Sequence, residues 1–235
     1  MKIRNIVLST LAVTALSATF AGAASAATIN FDQRLQGASG TLSYDGSGGA
    51  LIGRDISFSF VSADTVGTQS LDCNSCSLNF TTGSNISEGT NYEFNGGGSF
   101  ELTGNVTDMN GATVADGSLL SGMFSNGNGQ VQFTKLPRNS GSFVGYGTNS
   151  VNNDLAGFFG LDSDSIFNFL STDFSTSQLT FASNGGFSGN VTAADLQTIN
   201  DVPEPQELAI FGLGVFLLVG GLAYRRKTGA GDLIG

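Results

Sequence analysis

Cys73 and Cys76 are the two cysteines of a 235-residue chain that contains no histidine. Thiols separated by two residues can ligate a metal, exchange electrons as a dithiol, or close a local disulfide. A structural zinc site needs four ligands, as a rule thiolate or imidazole, and the chain holds no others of either kind. Redox catalysis needs a helix N-terminus in a βαβ setting to depress the thiol pKa. Here Cys73-Asn74-Ser75-Cys76-Ser77-Leu78-Asn79-Phe80 reads instead as a loop followed by a strand. The expectation is a small disulfide bracing that loop, given an oxidising compartment.

Lack of histidine also removes the commonest general base, so neither a Ser–His–Asp nor a Cys–His site can be assembled within this chain. Paired carboxylates remain, as in glycoside hydrolysis, where two acids stand about 5–10 Å apart. Asp162, Asp164 and Asp173 form the densest acidic group. Calcium would suit the oxygen-rich stretches Asn152-Asn153-Asp154 and Asp162-Ser163-Asp164, although neither follows the EF-hand pattern. Solvated loop acids explain both stretches as well, so no catalytic residue, metal ligand or cofactor is expected. Asn79, Asn85, Asn105 and Asn190 each open an Asn-x-Ser/Thr sequon, which a chain rich in these residues generates by chance.

The two ends read as targeting segments. Lys2 and Arg4 precede an apolar stretch from Ile6 to Leu16, and small residues lead to Ala24-Ser25-Ala26. Ala24 and Ala26 occupy the positions signal peptidase accepts, which makes residues 1–26 a cleavable signal peptide and exports the rest. At the other end Val202-Pro203-Glu204-Pro205 precedes Leu208 to Tyr224, 17 residues without a charge, and then Arg225-Arg226-Lys227. As a helix that span measures about 25 Å, near the lower limit for crossing a bilayer. The basic cluster stays cytoplasmic by the positive-inside rule and leaves the preceding domain outside. Pro203 and Pro205 keep the segment before the span extended, hence open to a processing enzyme.

Pro203-Glu204-Pro205, the Gly-containing apolar span and the Arg225–Lys227 cluster together resemble the PEP-CTERM sorting signal of Gram-negative bacteria. The resemblance covers residues 202–227 and implies recognition by an exosortase, a membrane-embedded transpeptidase-like cysteine enzyme that removes the tail near Pro-Glu-Pro. It also implies an association with exopolysaccharide and biofilm. The family's tail ends just past its basic cluster, whereas here residues 228–235 follow. Within the exported part, Cys73 to Phe80, Gly97-Gly98-Ser99-Phe100, Leu119 to Phe124 and Ala156 to Leu161 resemble segments of a recurring kind of PEP-CTERM protein. That second likeness implies no activity.

Between the ends, residues 27–202 carry 16 acidic against 4 basic side chains and 16 of the 19 phenylalanines. Such charge repels nucleic acid and anionic lipid, which excludes nucleic-acid binding, while the aromatic content argues for a folded core rather than disorder. Apolar residues alternate with polar ones at Ile56-Ser57-Phe58-Ser59-Phe60, and shorter runs occur at 29–31, 78–80, 92–94, 100–102, 131–133 and 179–181. Asp45-Gly46, Asn95 to Gly98, Asn110-Gly111 and Asn184 to Gly186 separate them with turn chemistry. This pattern predicts an all-β domain over 27–201, an antiparallel sandwich or barrel. A solenoid ranks behind, since no fixed repeat period is found. One short helix is expected, capped by Asn153 or Asp154 with Leu155, Phe158 and Phe159 on one face. A second helix, or a stem, is expected over Thr192–Ile199.

The function expected from this organisation is a non-enzymatic surface or extracellular-matrix protein, anchored in the inner membrane before processing by exosortase. The alternatives are a secreted carboxylate-dependent polysaccharide hydrolase and a calcium-dependent adhesin.

Overall fold

Alternation of a large apolar residue with serine, threonine or asparagine gives a strand one face that must be buried and one that water tolerates. Eleven such strands are present in the computed structural model, which describes residues 27–33, 39–64, 70–127, 130–161 and 167–200. They are β1 (Thr28–Asp32), β2 (Thr41–Tyr44), β3 (Ala50–Ala63), β4 (Ser70–Ser87), β5 (Asn91–Phe94), β6 (Ser99–Thr107), β7 (Thr113–Phe124), β8 (Val131–Leu136), β9 (Ser140–Val151), β10 (Phe167–Phe181) and β11 (Phe187–Asn200). A single described helix, α1 (Asn153–Phe158), lies between β9 and β10. The all-β, antiparallel expectation holds. Ala24, Ala26, Pro203–Pro205, the 208–224 span and Arg225–Lys227 lie outside the described residues, and no described helix is long and apolar enough to cross a membrane.

Every pairing is antiparallel, and the pairings return to their starting point. β3 pairs with β4, β4 with β6, β6 with β7 and β7 with β9. From β9 the ladder continues through β10, β11 and β1 back to β3. Beyond the end of β1, β2 takes its place between β11 and β3. In the same way β5 and β8 replace β6 and β7 between β4 and β9. A closed ladder hides the backbone groups that an open edge would offer to a neighbouring chain.

Phenylalanine and tyrosine fill the inside in two groups. Phe80 stacks on Phe143 at 4.9 Å and on Phe174 at 5.9 Å between ring centroids, with Phe124 edge-on at 5.7 Å. In the second group Phe133 stacks on Phe187 at 4.3 Å, and Tyr44 and Tyr92 approach Phe187 at 5.8 and 5.0 Å. These are the offset and edge-to-face geometries that aromatic quadrupoles favour. Gly53 makes room for the first group, since a Cβ there would stand 2.1 Å from the Phe80 ring.

Register shifts correct several sequence-based assignments. In β3 a bulge between Phe58 and Phe60 leaves Phe60 half-buried and turns Val61 and Ala63 inward, so Ile56, Phe58 and Phe60 do not share one face. Thr192–Ile199 is neither helix nor stem but part of β11, with Val191, Ala194, Leu196 and Thr198 buried. Pairing with β10 and β1 on either side overrides the helical propensity of Ala193-Ala194. The cap of α1 falls one residue early: the Asn152 side chain accepts from the N–H groups of Asp154 and Leu155. Its buried face is Leu155, Ala156 and Phe159, while Phe158 is exposed. Asn152 also donates from Nδ2 to Ser118 O at 3.1 Å, which ties the helix start to β7.

Candidate functional site

Cys73 and Cys76 form the expected disulfide, but inside β4 rather than in a loop before it. Residues three apart on a regular strand point to opposite faces. Here β4 carries two extra residues relative to β3 between Cys76↔Phe58 and Asp72↔Phe60, and Ser75 takes φ 54°. That bulge turns both sulfurs inward, leaving the cysteines 5% and 2% exposed. So deeply placed a pair is a cross-link and not a reactive dithiol.

The other candidates scatter. Asp162 and Asp164 lie outside the described residues, and Asp173 sits within β10, in register with Asp195 of β11. Asp195 is also in register with Asp32 of β1. Among the described residues no group of three acids, cysteines or histidines could hold a metal ion. Asn152, read as a calcium ligand, spends its side-chain oxygen on the helix cap. All four sequon amides donate within the fold: Asn79 to Ser77, Asn85 to Ser87 O and Glu93 O, Asn105 to Thr113 and Asp116, and Asn190 to Gln178.

What no single stretch of sequence reveals is the outer face. Successive cross-strand partners Thr180, Ser188, Ser43, Ile52, Thr81, Ser99, Met123 and Thr148 make one row across eight strands. All of them are exposed or half-buried, and six carry a hydroxyl. A second row, Asn79, Glu101, Ser121 and Ser150, runs beside it on β4, β6, β7 and β9. Between the rows lies the strand backbone at Gly53, Phe80, Phe100 and Gly122, whose own partners point inward. The trough so formed encloses about 690 Å³, within the range typical of small-molecule clefts. At its β3 end another register shift leaves Arg54 and Asp55 opposite Asn79, and Asn79 Oδ1 accepts from Asp55 N at 3.1 Å.

Glu101 is the one carboxylate and Arg54 the one cation among the described residues lining this trough. Met123 is 56% exposed within it, and Tyr146, 38% exposed, stands two residues along β9 from Thr148. A second concavity of about 490 Å³ adjoins the same row through Ile52, Ser43, Ser188 and Thr180.

Near that second concavity the connections are locked together. Tyr44 Oη donates to Glu88 Oε1 at 2.7 Å and accepts from Gly48 N at 3.0 Å, while Tyr92 Oη donates to Gly185 O at 3.0 Å. Burial first, and then the Glu88 hydrogen bond, push the Tyr44 phenol above its ordinary 10.0; burial does the same for Tyr92. A phenol raised by folding contributes stability below about pH 10 that is lost as pH climbs through the folded value. Thermal melts are therefore expected to fall as pH rises above about 10, and less steeply in Tyr44→Phe; equal slopes would remove Tyr44 from the alkaline transition. Asp45 and Asp108 shift the other way, held down by hydrogen bonds from Ser47 and by the backbone N–H of Ala112 respectively.

No known family model, curated protein or solved structure matches this chain.

Proposed function

We propose that this chain is an exported surface or extracellular-matrix protein of a Gram-negative bacterium, released or attached by an exosortase and serving a non-enzymatic, structural or adhesive role in exopolysaccharide. The observation that carries the reading is the ordered set at the two ends. A signal peptide closes on Ala24 and Ala26, and Pro203-Glu204-Pro205, an uncharged span and Arg225-Arg226-Lys227 follow in that order. A buried disulfide fits export, because oxidising compartments form and keep such bonds. The closed ring of strands is read as a flattened barrel, with its aromatic side inward and hydroxyl-bearing rows outward.

The trough bears on the hydrolase alternative. Paired-carboxylate chemistry needs a second acid about 5–10 Å from the first; Glu101 is the one acid among the described lining residues, and Asp55 stands at the β3 end, two strand spacings away.

Intact masses of the protein from cells and from medium test the sorting reading, with an exosortase-deficient strain alongside. The expected species outside the cell begins at Ala27, ends near Pro203–Pro205, and disappears in the deficient strain. An unprocessed C-terminus held in the membrane of both strains would make the tail a plain anchor and overturn the reading.

A further inference from the structure

Building on the matrix reading, we propose that the trough between β3 and β9 binds an uncharged polysaccharide chain lying across the strands. The shape comes first. From β3 to β9 the trough crosses four strand spacings, about 19 Å at 4.8 Å each. A trough laid across the strands of an outer face suits a linear polymer bound along its length. One strand spacing is also close to the advance of one sugar unit in an extended glycan, so hydroxyls repeating by strand meet hydroxyls repeating by sugar.

Chemistry then narrows the occupant. Thr81, Ser99, Ser121 and Ser150 project hydroxyls that make no side-chain hydrogen bond among the described residues. Thr82, one residue along on the inner face, contrasts with them: it accepts from Leu51 N and donates to Gly83 O. The outer hydroxyls can donate and accept alike, as sugar hydroxyls do. Arg54 supplies a planar fork of donors and Glu101 a pair of acceptor oxygens, so the trough itself carries one charge of each sign. Exposed Met123 gives the C–H faces of sugar rings an apolar surface on the β7 side of the trough.

Charge excludes the competing polymers. With 16 acidic and 4 basic residues between Ala27 and Val202, the domain repels uronate, sulfate and phosphate chains. A peptide helix or acyl chain would need a broad apolar floor, and Ile52 and Met123 are too few to make one.

The test is affinity electrophoresis of the protein recovered from the cells that make it. Gels carry hydroxyethyl cellulose, dextran or galactomannan as neutral probes, and alginate as the anionic one. Retardation is expected in at least one neutral gel and not in alginate. Ser99→Trp and Ser121→Trp, which fill the trough from exposed positions, should weaken it at least tenfold. Ser175→Trp, exposed on β10 away from the trough, should leave it unchanged. Melting temperatures of the three variants within a few degrees of the parent show that the fold is intact. Retardation that survives both trough substitutions, or that occurs only in alginate, overturns the proposal. So does the absence of retardation in every neutral gel while the parent still partitions with the matrix. A parent missing from the matrix fraction would instead sink the underlying reading, which keeps the two failures apart.

Discussion

Replacing Phe143 with alanine is expected to cost about 3–5 kcal/mol, the usual range for removing a fully buried phenylalanine. At about 2–4 °C per kcal/mol for a domain of this size, melting should fall by roughly 6–20 °C. Phe143 has no exposed surface and lies at the centre of the first aromatic group. Its ring is stacked on Phe80 at 4.9 Å and on Phe174 at 5.5 Å, and meets Phe124 edge-on at 6.2 Å. Truncation forfeits all three contacts as well as the transfer of the ring from water. It also leaves a void bounded by strands whose ladder is closed, so the walls cannot slide inward to fill it.

Phe80 offers the internal check. It joins the same stack from β4, and its ring is held by the close approach of Gly53 on β3. A double-mutant cycle of Phe80→Ala with Phe143→Ala should return a coupling of about 0.5–1.5 kcal/mol. Phe158→Ala removes a ring that is 38% exposed and should cost well under half as much as Phe143→Ala. Equal losses at Phe143 and Phe158, measured by chemical denaturation, would contradict a core organised around this stack.

How much of this was legible beforehand follows from where the hydrophobic signal sits. Runs such as Tyr92–Phe94 and Val131–Phe133 put aromatic or branched residues at every second position; the first became β5 with one residue more, and the second opens β8, which runs on to Leu136. β9 gave no such signal, because its inward positions run Gly141, Phe143, Gly145, Gly147, Asn149 and Val151. Two of those glycines make room for rings from other strands: a Cβ at Gly141 would meet Phe133 at 2.2 Å, and one at Gly145 would meet Phe124 at 2.8 Å. A strand whose inner face is supplied by its neighbours' rings carries no alternation of its own. β11 misled in the opposite direction, since Ala193-Ala194-Asp195-Leu196 satisfies a helical pattern until β1 and β10 claim its backbone.

The trough was invisible for a related reason. Its hydroxyls come one at a time from four strands spread between residues 81 and 150, and serine on an outer face is indistinguishable in sequence from serine in a turn. The cysteines lay between these extremes. Their spacing announced a bond, but the bulge that aims both sulfurs inward depends on how β4 pairs with β3 and β6, which sequence spacing does not encode.

That bulge gives the second large effect. Changing Cys73 and Cys76 together to alanine is expected to cost about 2–4 kcal/mol. Closing a four-residue loop accounts for about 2 kcal/mol in the chain-entropy model, and removing two buried sulfurs accounts for the remainder. Gly104 of β6 tests whether the loss arises at this place. A Cβ at Gly104 would stand 2.5 Å from Cys76 Sγ, 2.7 Å from its Cα and 3.0 Å from its Cβ. In the parent, Gly104→Ala must push the disulfide or the bulged backbone away, at about 1–3 kcal/mol. Without the sulfurs the nearest of these clashes is gone, so the same substitution should cost measurably less in the Cys73→Ala/Cys76→Ala background. Denaturation midpoints of the four proteins decide the matter. Additive losses would mean that Gly104 answers only to the backbone of β4 and that the cross-link acts through the unfolded chain alone. A positive coupling would show that the disulfide, the bulge and the missing side chain opposite form one packed unit on the inner face of the ring.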